Sequence, residues 1–225
     1  AGEQLVTKEV SPSLNCDLTS TSFTLSSPIK IVATDGAQTL TAVLSDKDSG
    51  VAVKWSAELK DGSNYISQSY TLASSKPLHI HGLQFLNGKT DKPQQIGTVP
   101  GSPVATDSLF FGVEMPFTAN YVDADGFRSG FPCELPIDKG VTYDFKSIAG
   151  VYPEGQLRRA FNYYLERERS TPSHQFLHYN CWYDLGLDPT RETFTQVIKD
   201  YYRELTVERS VTIDSFVMDD GWDDY

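Results

Sequence analysis

The sequence is poor in the residues that would place it in several large classes. Among its 225 residues are three cysteines, Cys16, Cys133 and Cys181. That is too few for a disulfide scaffold, and their spacing is not that of a metal site; one disulfide plus a free thiol is the pairing the count allows. No apolar run approaches the roughly 20 residues needed to cross a bilayer as a helix. A basic segment followed by an apolar one, the mark of a secretory leader, is missing at the start. Ala1-Gly2-Glu3-Gln4 suits a mature chain after leader removal as well as an internal start, so the expected location is secreted or periplasmic ahead of cytoplasmic. Basic residues are also scarce, 19 against 30 acidic ones, which leaves a net charge of −11. Such a field repels phosphate backbones and excludes nucleic acid as the expected partner. It suits a neutral ligand such as a glycan, and it also keeps a surface soluble.

What is present is unevenly distributed. Residues 1–152 hold ten lysines and one arginine, whereas residues 153–225 hold one lysine and seven arginines. Thirteen of the 27 aromatic residues fall in that final stretch. A boundary therefore belongs near Val151-Tyr152-Pro153.

Before that boundary the periodicity is two. Val51, Val53, Trp55, Ala57 and Leu59 alternate with polar or small residues, and Asp61-Gly62-Ser63-Asn64 supplies a turn. Tyr65 to Ala73 reads as the next strand, and Leu78 to Leu86 as another, closed by Asn87-Gly88. Ile29–Thr34 and Thr39–Leu44 flank Asp35-Gly36 as a hairpin. Many short strands with frequent turn signals predict a β-sandwich.

After the boundary the period changes. Pro153 suits a helix start, and Leu157, Ala160, Phe161, Tyr164 and Leu165 recur at helical spacing. Gln175–Cys181 reads as a buried strand. Asp188-Pro189 reads as an N-cap with Pro at the first helical position, and Phe194, Val197, Ile198, Tyr201 and Leu205 form one apolar helix face. Val211 to Met218 is a second strand. Strand, helix and strand in so short a span make a βαβ unit with its strands parallel. Both faces of such a sheet need cover.

Three segments then resemble glycoside hydrolase family 36. Phe176-Leu177-His178-Tyr179-Asn180-Cys181-Trp182-Tyr183-Asp184-Leu185-Gly186 is similar to the family's first barrel strand, which ends in Asn-Ser-Trp or Asn-Thr-Trp. Phe216-Val217-Met218-Asp219-Asp220-Gly221-Trp222 resembles its second strand, which ends in Asp-Asp-Gly-Trp. Asn64 to Leu72 resembles a strand of its N-terminal supersandwich. Cys181 stands where Ser or Thr is usual, and Asp223 where an aromatic is common.

The resemblance implies a β-supersandwich over 1–150, a linker helix over 151–172, and the start of a (β/α)8 barrel over 173–225, namely its first strand, helix and second strand. It implies a retaining hydrolase of terminal α-galactosides that needs no cofactor or metal. Asp219 and Asp220 would grip O4 and O6 of the terminal galactose as recognition residues. Trp182 and Trp222 would wall the sugar ring, with Asn180 and Asp184 in support. In the family the nucleophile and the acid/base lie on later barrel strands, so neither is assigned here and the fragment is expected to be inactive alone. The family also contains raffinose- and stachyose-forming transglycosylases. A non-catalytic carbohydrate-binding sandwich is the alternative reading, and association into oligomers through unpaired strands is a further expectation.

The remaining candidates read as structural. His79 and His81 share one face of a strand, as two zinc ligands would, but the pattern offers no third ligand and they read as a surface pair. Glu166-Arg167-Glu168-Arg169 reads as a solvated helix end. Gly97-Thr98-Val99-Pro100-Gly101 is turn material, since a phosphate loop would need a helix after it.

Overall fold

The computed structural model describes residues 23–132 and 134–222, together with the backbone of the strand Ser13–Cys16. Of the three cysteines among which one disulfide is expected, Cys133 and the side chain of Cys16 lie outside the described residues, as does Asp223. Cys181 is a buried free thiol. The chain divides into two compact units, Ala1–Glu168 and Arg169–Tyr225. The break falls after the first helix.

The first unit is built from fourteen strands and one helix among the described residues: β1 (Ser13–Cys16), β2 (Thr24–Leu25), β3 (Lys30–Thr34), β4 (Ala37–Ser45), β5 (Val51–Lys60), β6 (Tyr65–Ser74), β7 (Leu78–Lys89), β8 (Gln94–Gln95), β9 (Val104–Ala105), β10 (Leu109–Val113), β11 (Ala119–Val122), β12 (Gly126–Phe131), β13 (Leu135–Ile137), β14 (Thr142–Val151) and α1 (Leu157–Glu168). They form two antiparallel sheets. The larger runs β2-β4-β5-β6-β14-β10-β9-β8 with β3 also on β4, and the smaller runs β1-β7-β12-β11 with β13 also on β7. The expected hairpin is present, with Thr34 opposite Ala37 across Asp35-Gly36. Expected and observed limits of β5 and β6 agree closely. Asn87-Gly88 does not close β7, which runs on to Lys89. Gly88 pairs with Phe127 there, and the Phe127 ring occupies the space a Cβ would take.

Alternation decides what each face does. Val51, Val53, Tyr70, Leu72 and Phe145 of the large sheet pack with Ile80, Leu83, Phe85 and Phe131 of the small one, so the core lies between the sheets. Burying each such side chain stabilises by about 1.5–3 kcal/mol. One polar line crosses this core. Trp55 Nε1 donates to Gln68 Oε1 at 3.1 Å, Gln68 Nε2 donates to Ser147 Oγ at 3.4 Å, and Ser147 Oγ meets the Tyr70 hydroxyl at 3.1 Å. Burial pushes the Tyr70 phenol up to about 12.

The other face of the large sheet carries Tyr65, Phe110 and Ile148, and α1 covers it with Ala160, Tyr164, Leu157 and Phe161. The helix is therefore part of the sandwich unit. Pro153 is not its first residue. Gln156 N bonds to Pro153 O in a turn that Gly155 makes at φ +70, and the helix starts at Leu157. Glu168 is not solvated either. It accepts from Lys60 Nζ at 3.1 Å and from the Tyr65 hydroxyl at 2.5 Å, tying the helix end to the sheet. Burial and the Glu168 carboxylate push the Tyr65 phenol up to about 12.

The second unit holds β15 (His178–Asn180), α2 (Arg191–Tyr201) and β16 (Ser215–Val217). The strands pair in parallel, Tyr179 opposite Phe216, as a βαβ unit requires. Both are shorter than their apolar runs. Phe176 and Leu177 are exposed, and only the stretch around Tyr179 is paired and buried. Tyr179 gathers the unit, with its ring 4.8 Å from Tyr201, 5.8 Å from Phe216 and 6.3 Å from Phe194. Below the pair, Leu177 N donates to Asp214 Oδ2 and Asp214 N to Leu177 O, each at 2.8 Å. The cap of α2 is Thr190 and not Asp188. The Thr190 hydroxyl accepts from Thr193 N while Thr193 Oγ1 accepts from Thr190 N, a reciprocal box for which Asp188 sits too far back.

Two glycines in neighbouring strands test the packing of α1 on the sheet. A Cβ on Gly150 would lie 2.0 Å from the Phe110 ring, which is fully buried, whereas a Cβ on Gly112 would meet nothing closer than 3.8 Å. Gly150→Ala is expected to lower unfolding free energy by about 1–3 kcal/mol, and Gly112→Ala to leave it within about 0.5 kcal/mol. Urea denaturation midpoints at constant slope check this; equal midpoints for the two variants would count against the described packing.

Candidate functional site

The two motif segments end at the same edge of the parallel pair. β15 stops at Asn180, and its side chain caps a single tight helical turn over Cys181–Tyr183, Oδ1 accepting from Trp182 N at 2.9 Å. β16 stops at Val217, so Asp219 and Asp220 already stand on loop and escape the alternation that would send them to opposite faces. The loop turns at Gly221, whose φ of +92 favours glycine. A Cβ there would also lie 2.2 Å from the Leu187 carbonyl oxygen, so the loops following the two strands touch backbone to backbone at this glycine.

Three side chains join the strand ends. Asn180 Nδ2 donates to Asp219 Oδ2 at 2.6 Å, and Asp219 N donates to Cys181 Sγ at 3.2 Å. Cys181 is completely buried beneath this junction, where it serves as an acceptor. Asp219 Oδ1 takes Asp220 N at 2.8 Å, and Asp220 Oδ1 takes Gly221 N at 3.1 Å. The amide of Asn180 and then the Asp220 N–H hold the Asp219 carboxyl below the usual carboxylate range, so it is ionised near neutrality. Asp219 is thus engaged at both oxygens, while Asp220 Oδ2 has no hydrogen-bond partner among the described residues. An ionised carboxylate has about four acceptor sites, so both retain capacity for a ligand hydroxyl.

The other expected residues are placed differently. Trp182 and Trp222 flank the junction in sequence and are 42% and 66% exposed, so neither is a core residue of this unit. No hydrogen bond or ring contact joins either indole to the two carboxylates among the described residues. Asp184 accepts from the Tyr179 hydroxyl and thereby orders the strand from behind. Burial, then that carboxylate, raises the Tyr179 phenol. Cys181 within the junction and Tyr179 behind it have roles that the sequence did not suggest; their signal was position inside the motif. His79 and His81 lie in the sandwich unit, where Glu134 approaches both.

No family model matches the chain, and no curated protein matches it. Solved structures do. The chain superposes on the GH36 alpha-galactosidase AgaB from Geobacillus stearothermophilus with a TM-score of 0.58 at 15% identity, covering 98% of this chain and 40% of that one. AgaA from the same organism, as a variant in complex with 1-deoxygalactonojirimycin, gives 0.57 at 14% identity over 99% of this chain and 41% of that one. The alpha-galactosidase from Lactobacillus brevis gives 0.56 at 16% over 96% and 38%. In fold, this chain is like a GH36 alpha-galactosidase. It spans about two fifths of the length of these GH36 relatives.

The Asn180 bond gives a pH prediction. Asp219 has a folded-state value below its ordinary 3.8, so its contribution to stability is complete above that value and is lost as pH falls through the depressed one. Asn180→Ala should move the Asp219 carboxyl upward in an NMR titration and raise the acid midpoint of unfolding. An unmoved Asp219 titration would show that the amide does not set its charge.

Proposed function

We propose that residues 169–225 open the catalytic (β/α)8 barrel of a retaining glycoside hydrolase acting on terminal α-galactosides. The observation that carries this reading is the junction of Asn180, Cys181, Asp219 and Asp220 at the ends of two adjacent parallel strands. Barrel enzymes place substrates at the carboxyl ends of their strands, on the loops that follow. A chain that superposes on GH36 alpha-galactosidases and carries paired carboxylates at that end supports a sugar-recognition role for them. Structures of AgaA variants in complex with stachyose and with raffinose belong to that same group of neighbours.

The exposed apolar residues of the second unit support the same reading. Phe176, Leu177, Leu187, Tyr202, Val207 and Met218 are all exposed, and a parallel pair normally has both faces covered. In the proposed enzyme, further strands and helices of the barrel cover them.

Within this reading each group has a task. Asp220 Oδ2 and the remaining lone pairs of Asp219 accept from neighbouring hydroxyls of the sugar, and their angular placement selects axial over equatorial O4. Asn180 positions Asp219 and keeps it charged. Trp182 and Trp222 present apolar rings to the sugar's less polar face. Cleavage is a double displacement by a nucleophilic carboxylate and a second carboxyl about 5 Å away that serves as acid, then base. Neither is assigned to a residue of this chain, so the 225 residues alone are expected to bind weakly and not to turn over.

The test is turnover of a nitrophenyl α-galactoside by the intact enzyme. Charged hydrogen bonds contribute about 1.5–3 kcal/mol each, so losing two with Asp220→Ala should lower kcat/KM by about 10²–10⁴-fold. Wild-type kcat/KM in that variant would remove Asp220 from the recognition role. Trp222→Ala should raise KM with kcat less affected.

A further inference from the structure

The sandwich carries a cluster of metal-binding side chains that sugar recognition leaves unused. His79 and His81 are two apart on β7, so both imidazoles stand on one face of the strand while Ile80 between them is fully buried in the core. β13 runs antiparallel to β7, with Leu135 opposite Ile80 and Pro136 opposite His79. Extending that register by one residue sets Glu134 opposite His81, on the face that both histidines share. The contacts follow. His81 Nδ1 lies 3.4 Å from Glu134 Oε1 and His79 Nε2 lies 3.7 Å from Glu134 Oε2. The two imidazole rings meet edge to face with centroids 5.3 Å apart. One donor atom from each of the three residues lies within 4.8 Å of the others.

These spacings are close to those a bound ion demands. Zinc binds imidazole nitrogen and carboxylate oxygen at roughly 2.0–2.2 Å, and tetrahedral ligands at that radius sit roughly 3.3–3.6 Å apart. The two nitrogen–oxygen separations, one to each Glu134 oxygen, are near that range, so side-chain rotations alone can close the set around one ion. Two imidazoles and one carboxylate favour a first-row divalent transition metal over magnesium or calcium, which prefer all-oxygen shells. All three side chains are solvent-accessible, so an ion can enter without unfolding.

We propose that His79, His81 and Glu134 form a binding site for a divalent transition metal ion such as zinc. Three protein ligands leave a fourth position for water or an incoming donor. The ion would clip β13, a strand of three residues, to the start of β7, at its second and fourth residues, and close a long loop between residues 53 apart in the chain. The site lies wholly within the sandwich unit and is independent of the galactoside reading.

The test is titration of chelator-treated, desalted protein with zinc and, for a visible spectrum, with cobalt(II). The wild type is expected to take one more ion per chain than a His79→Gln/His81→Gln double variant, with a cobalt ligand-field band that this variant lacks. Glu134→Gln keeps the side chain's shape and removes its charge, and it should weaken zinc affinity by about tenfold or more. Zinc should also raise the melting temperature of the wild type and leave that of the double variant unchanged. Equal stoichiometry and equal spectra in wild type and double variant would overturn the site. So would an unaltered zinc affinity in Glu134→Gln, which keeps the proposal testable should the double variant fail to fold. Saturable magnesium binding lost in the same variants would overturn the assignment to a transition metal.

Discussion

The bond from Asn180 Nδ2 to Asp219 Oδ2 spans 39 residues of sequence and 2.6 Å of space. It exists because β15 and β16 run parallel. Antiparallel neighbours would put consecutive strand ends at opposite edges, whereas a parallel pair brings every carboxyl end to one edge and spends a helix on the return. The residues following the two strands therefore converge by topology, and side-chain chemistry has only to fix the last few ångströms. Tyr179 holds the strands and α2 together from below, Cys181 fills the space under the junction, and Gly221 lets the two following loops touch. Removing the parallel pairing would scatter the whole arrangement.

The sandwich solves a different problem with different means. Its large sheet has one face on the inter-sheet core and the other under α1, so it has few bare apolar strands near its centre. Four polar side chains that this burial traps bond in a chain, from Trp55 through Gln68 and Ser147 to Tyr70. The helix is fastened at its carboxyl end by Glu168, which answers both a lysine and a tyrosine of the sheet. The second unit has no such second layer among the described residues, and it leaves aromatic and aliphatic side chains exposed.

How much of this was legible in the sequence depended on the range of the interaction. Period-two alternation located β5 and β6, and Asp35-Gly36 located the hairpin, because both signals are local. The two motif strands were legible from a few residues each, but as longer runs than the paired stretches His178–Asn180 and Ser215–Val217, because pairing and not apolarity sets a strand's ends. Asn87-Gly88 misled because a turn-forming pair also fits a strand where a facing ring, here Phe127, needs the room. Thr190 won the cap from Asp188 because its hydroxyl reaches Thr193, a contest that residue type alone leaves open. Pro153 and the change in basic residues marked a boundary in composition, yet α1 packs with what precedes it. Glu134 was invisible beside His79 and His81 because only strand register brings it there. The commitment of Asp219 to Asn180 was equally hidden, as it depends on the tertiary meeting of the two strand ends.

As the proposed opening of a (β/α)8 barrel, residues 169–225 require the rest of one. Such a barrel takes about 250 residues, so the polypeptide isolated from its native source is expected to have an intact mass well above the 25.0 kDa of these 225 residues. An intact mass of 25.0 kDa, with catalytic competence or without it, would contradict the barrel reading.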